Sequence, residues 1–193
     1  IGGLPNLREL EIYDDSEPKT DIKSVSIYFN SLRKLEVLSI IVNNLVNKDC
    51  IKLSEGLKNL KNLKVLNLSY DCIIDCNISN IIFDSENKIE ILTLKANNIT
   101  DIGMKVFKNE IKKLKNIREL NFHDNQFCDQ GLQYLLEGLE NINSLRVLIL
   151  QNCGISNIGV KHFAEYFDIN PNFLSNLEII DFISNSFDDG CIN

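Results

Sequence analysis

Ile117-Arg-Glu-Leu120-Asn-Phe122-His-Asp-Asn125-Gln-Phe127 is the stretch that decides the fold. Apolar residues hold its first, fourth, sixth and last positions, and an asparagine stands two before the end. The pattern returns along the chain. It reads Leu35-Glu-Val-Leu38-Ser-Ile40-Ile-Val-Asn43-Asn-Leu45, then Leu63-Lys-Val-Leu66-Asn-Leu68-Ser-Tyr-Asp71-Cys-Ile73. Ile89 to Ile99, Leu145 to Ile155 and Leu177 to Phe187 are further copies, and a weaker one starts at Leu7 with Leu10, Ile12 and Asp15. Most steps between copies are 28 residues; Leu63 to Ile89 is 26 and Leu145 to Leu177 is 32. A motif with this many fixed slots at a near-constant period marks a stacked repeat array of about seven units.

Each copy has two mechanical halves. Leu38 and Ile40 alternate with polar or variable residues, which predicts a short strand with one buried face. The following asparagine is expected under a turn, where its amide can satisfy backbone groups that the bend leaves unpaired. The second half changes period. Gly103, Phe107, Ile111, Leu114 and Ile117 fall at helical steps, as do Gly131, Leu135, Leu139, Ile142 and Leu145. Thr100-Asp101 is the expected helix start before Gly103.

Strand, turn, helix and return at about 28 residues, with a glycine near the helix start, resembles the ribonuclease-inhibitor-like class of leucine-rich repeats. The resemblance covers nearly the whole chain, residues 1–193, as a single domain with repeats starting near Leu7, Leu35, Leu63, Ile89, Ile117, Leu145 and Leu177. It implies an α/β horseshoe solenoid with a parallel sheet on the concave face and helices on the convex face. No single repeat can bury its own apolar stripe, so neighbours must stack.

Departures from the pattern carry their own expectations. Asp15 and Asp71 replace the turn asparagine, which predicts looser turns there, while Cys153 is an accepted occupant of the slot. The two-residue deficit predicts a short or irregular helix over 77–87, and Asp168-Ile-Asn-Pro171-Asn reads as an extended loop after the sixth helix. Ile1-Gly-Gly-Leu4-Pro-Asn-Leu7 looks like the tail of an earlier repeat, and Asp188 onward like an unfinished helix. The expectation is a portion of a longer protein, without terminal caps.

Composition narrows the function classes. The formal net charge is −7, which disfavours nucleic acid and anionic membrane surfaces as main partners. No apolar run is long enough for a membrane span. The six cysteines show no CxxC pair and no disulfide-cap cluster, so they read as free thiols in a reducing, cytoplasmic setting. The sequons at Asn67, Asn77 and Asn98 are expected by chance in an Asn-rich chain. His123 beside Asp124, His162, and the Cys72/Cys76 pair read as surface or packing residues rather than as catalytic or metal groups. No phosphate loop or nucleophile elbow is present. We expect no enzyme and no cofactor.

Binding is what remains. Residues between the buried leucines should point into the bowl, in rows such as Tyr13, Ile41, Ser69, Lys95, His123, Gln151 and Ile183. Ile41, Val42 and Tyr70 are expected to form an exposed apolar patch, with Tyr70 as its anchor. Glu119, His123 and Asp124 should form a polar, acidic patch, and Ile149 and Ile183 a second apolar spot. With Lys95 and Gln151, these are the candidate partner-binding residues. The expected function is an intracellular protein-interaction scaffold, such as a subunit of a large assembly. By analogy with other ribonuclease-inhibitor-like repeats, the alternative is a regulator of an enzyme, as a small-GTPase activator or nuclease inhibitor.

Overall fold

A computed structural model describes residues 3–14, 22–42, 45, 47–70, 75, 86, 88–170 and 172–186. Each motif copy supplies one strand: β1 (Glu9–Asp14), β2 (Val37–Val42), β3 (Val65–Ser69), β4 (Ile91–Thr93), β5 (Glu119–Asn121), β6 (Val147–Ile149) and β7 (Ile179–Asp181). They pair in parallel in strict chain order, as an open sheet. The register aligns the same motif slot throughout: Leu10 with Leu38, then Leu66, Leu92, Leu120, Leu148 and Ile180. The interior leucines of this column are sealed from solvent, and burying one such side chain is worth about 1.5–3 kcal/mol.

The described helices are α1 (Ile22–Ser26, continued as a 3-10 turn over Ile27–Ser31), α2 (Asn47–Leu57), α3 (Asp101–Ile111), α4 (Cys128–Leu139) and α5 (Asn157–Ile169). The helical stripe read from sequence is the buried one: Gly103, Phe107 and Ile111 on α3, and Gly131, Leu135 and Leu139 on α4. α4 packs between α3 and α5. Phe122, just after β5, meets Phe107 and Phe127 edge to face, with ring centroids 5.6 and 5.9 Å away. The core is therefore one continuous layer between sheet and helices. The irregular helix expected over 77–87 lies almost wholly outside the described residues, as do Asn43, Asp15 and Asp71.

The turn asparagines do what their position requires. The backbone N–H groups of Asn97 and Ile99 donate to Asn125 Oδ1 (3.3 and 2.9 Å), while its Nδ2 donates to the carbonyls of Leu94 and Phe122 (2.9 and 2.7 Å). Asn185 repeats the arrangement on Cys153, Ile155, Leu150 and Phe182. Cys153 keeps the donor half, with its thiol 3.3 Å from the Phe122 carbonyl, and burial pushes that thiol's pKa up to about 12. Cys128 and Cys153 are free thiols, the first exposed and the second buried.

A second link joins helix starts. Asp129 in the first turn of α4 accepts from the Ser156 backbone N–H (2.8 Å) and from its hydroxyl (2.6 Å), while Ser156 caps α5. Asp75 holds Thr100, the cap of α3, in the same way. These carboxylates account for two of the recurrent glycines, whereas a Cβ on Gly131 would meet the Phe127 side chain. A Cβ on Gly159 would lie 2.3 Å from Asp129 Oδ1, and one on Gly103 2.2 Å from Asp75 Oδ1.

Two expectations need correction. Val42, expected in the exposed patch, is 4% exposed. Tyr70, Ala96, Asp124, Asn152 and Ser184 take up the matching place after their strands with left-handed backbones (φ 49 to 64°). A β-branched valine resists that conformation. The chain instead stays extended, and period-two alternation puts Val42 on the same buried face as Leu38 and Ile40. The loop expected from Asp168 begins later, because α5 runs through Ile169. Asn170 then turns the chain so that Phe173 and Leu174 bury.

Candidate protein-binding face

Strand alternation leaves one sheet face pointing away from the helices. Five consecutive repeats turn off that face through a left-handed residue. The N–H groups of four of these residues, Tyr70, Ala96, Asp124 and Asn152, donate to the next repeat at Lys95, His123, Gln151 and Ile183 (2.8–3.0 Å). The ladder fixes the side chains at the strand ends relative to one another. A left-handed backbone is uncommon outside glycine and asparagine, and most unusual for an aromatic residue such as Tyr70.

At the β1–β3 end the structure brings Tyr13 and Ile41 into register, with Ser69 opposite Ile41 and Tyr70 next to it. Tyr13 is 70% exposed and Tyr70 45%; Ile41 is half-buried. Ser69, read as outward-facing, is buried and donates to Asn67 Oδ1 at 2.5 Å. The Lys95 ammonium stands 5.8 Å from the Tyr70 ring centroid, a cation–π contact worth about 0.5–1 kcal/mol at an exposed site. Tyr13 belongs to the same row by sequence but gave no sign of being its most exposed member. Its prominence goes with β1 standing at the edge of the described sheet, paired on one side alone.

At the β5–β7 end the polar residues are tied into a network. His123 Nε2 lies 3.1 Å from Asp124 Oδ1, which also accepts from Asn152 Nδ2 at 2.9 Å. Gln151 Nε2 donates to Asp181 Oδ2 (2.5 Å), and the Ile183 backbone N–H donates to Asp181 Oδ1 (2.9 Å). Asp181 was not a singled-out residue, yet it joins Gln151 and Ile183. Ile149 pairs in register with Asp181 and is half-buried, whereas Ile183 is 64% exposed. Glu119 lies on the same face, half-buried at the opposite end of β5 from His123.

This arrangement suits recognition. An apolar platform with two tyrosines sits beside a preorganised polar group set, on a sheet that cannot readily deform. Among the described residues no group of three or more His, Cys, Asp or Glu could hold a metal ion, and no helix is long and apolar enough to cross a membrane. Two clefts, of about 290 and 300 Å³, lie elsewhere. One is between α1 and α2 and the other beside Lys64, Lys88 and Arg118.

Comparison with known proteins agrees with this geometry. The leucine-rich repeat family profile matches residues 141–164. The mouse protein "NACHT, LRR and PYD domains-containing protein 14" is 28% identical over 159 residues, covering 75% of this chain and 16% of that protein. The chain thus spans only a small part of this relative. Among solved structures, an internalin from Listeria monocytogenes superimposes with a TM-score of 0.58 over 97% of this chain and 45% of its own, at 22% identity.

Proposed function

We propose that this leucine-rich repeat protein is a binding module rather than an enzyme, and that it holds a partner protein on the sheet face opposite its helices. Leucine-rich repeat proteins generally mediate protein–protein contacts. The observation that carries the reading is the exposed tyrosine pair, Tyr13 and Tyr70, flanking Ile41 on one rigid sheet face. Aromatic side chains with apolar neighbours and a polar surround are what interface hot spots are made of. Lys95 and the His123–Asp124–Asn152 group supply the polar side. Gln151, Ile149, Ile183 and Glu119 extend the footprint across β5 to β7. Val42 drops out of it.

The free thiols of Cys128 and Cys153 support a reducing, intracellular setting. Strand–helix units of about 28 residues support placement in the ribonuclease-inhibitor-like class. Within the cell the protein acts as a scaffold in a larger assembly.

Affinity capture from native extract tests the reading. The wild-type chain and a convex-face control, Lys161→Ala, should recover the same discrete partner. Tyr70→Ala and Ile41→Asp should lose it. Equal recovery by all four would overturn the assignment of this face.

A further inference from the structure

The seven strands among the described residues run parallel, so every segment leading into one of them lies on one rim of the sheet. More than half of the chain's 20 lysines and arginines lie on these inbound segments. Helix C-termini favour nearby cations, which accounts for Lys112 and Lys113 just beyond α3. It does not account for residues at the strand starts, beyond the reach of the last helical turn.

There the side chains form a row with one member per repeat, and its charges alternate at first. Glu36 binds Arg8 at 2.7 Å and Lys64 at 2.9 Å, and Arg118 follows 3.6 Å from Glu90. Alternation then breaks. Arg146 comes directly beside Arg118, with its backbone N–H donating to the Arg118 carbonyl at 2.8 Å. Two guanidinium groups are therefore launched from backbones about 4.8 Å apart. Their carboxylate partners lie on the outer sides, Glu90 beyond Arg118 and Glu178 beyond Arg146. Both arginines are more than half exposed. The cleft of about 300 Å³ lined by Lys64, Lys88, Glu90, Asn116, Arg118 and Ser144 opens beside them.

We propose that the inbound rim from β4 to β6 is a second docking surface, which takes an acidic segment of a partner protein and seats one of its carboxylates between Arg118 and Arg146. Guanidinium groups donate to carboxylates bidentately, and a single carboxylate completes the interrupted alternation. The flanking Glu90 and Glu178 decide against nucleic acid. A continuous phosphate backbone carries a charge at every step and would press phosphates onto both glutamates. A peptide can place neutral or basic residues there.

The test is fluorescence anisotropy on the full chain at low salt, with a short labelled peptide carrying two adjacent glutamates between lysines. Saturable binding is expected, weakened by salt. Arg118→Glu with Arg146→Glu should weaken it about tenfold or more. Lys105→Glu with Lys161→Glu, an equal charge change at exposed positions of α3 and α5, should alter it by no more than about twofold. Arg118→Gln with Arg146→Gln repeats the test if the reversed pair fails to fold. Tyr70→Ala should leave peptide binding unchanged, which separates this rim from the sheet face. The proposal is overturned if wild type shows no saturable binding, if the two charge-matched pairs lose affinity equally, or if an oligothymidine or anionic vesicles displace the peptide.

Discussion

Asn125 joins two repeats through four hydrogen bonds, and both of its amide atoms are spent on backbone groups with no access to water. Asn125→Ala strands those groups, and each buried orphan costs about 1–3 kcal/mol. Denaturant unfolding should show a loss of about 3 kcal/mol against wild type, while Lys161→Ala, exposed on α5, should lie within about 0.5 kcal/mol. The role of this residue was legible because four of the seven motif copies carry asparagine in this slot. Val42 was not legible. Its exposure depends on whether the chain leaves the strand through a left-handed residue, and the repeat position alone does not determine that, because Val42 and Asp14 stay in their strands while Tyr70 and Ala96 turn. Tyr13 was hidden for a related reason: its row was clear, but its prominence depends on the strand pairing.

Between elements, carboxylates do the joining. Asp129 clasps Ser156 at the start of α5 and fills the space that a side chain on residue 159 would need. Gly159→Ala should therefore destabilise by expelling the carboxylate, and the cost should shrink in an Asp129→Ala background. A double-mutant cycle should give a coupling above about 1 kcal/mol; additivity would show that the glycine serves another purpose. The sequence displayed the glycine period, but the carboxylate comes from the preceding repeat, so no local reading could pair them. On the inbound rim, Glu36 bridges the lead-ins of β1, β2 and β3. The Lys64 ammonium, then the Arg8 guanidinium, holds its carboxyl below the usual glutamate range. A lowered folded-state pKa contributes stability above the ordinary glutamate value, and this is lost as pH falls through the lower folded value. Wild type should accordingly exceed Glu36→Gln in denaturation midpoint near neutrality, and the two should converge in acid.

Across the molecule, stacked apolar slots build a rigid sheet whose outward face holds Tyr13, Ile41 and Tyr70 at one end and the His123–Asp124 network at the other. The solenoid was readable from sequence because one period writes both the strand and the helix stripe. The binding face was readable only as rows, since exposure along a row varies with each turn. Three tyrosines offer a direct test of which face grips a macromolecule: Tyr13 and Tyr70 on the sheet, and Tyr28, about as open as Tyr70, on the 3-10 turn after α1. A photo-crosslinking benzoylphenylalanine placed at each, irradiated in native extract, should yield a discrete protein adduct from positions 13 and 70 and none from 28. Adducts from position 28 alone, or equally from all three, would contradict partner binding on the sheet face.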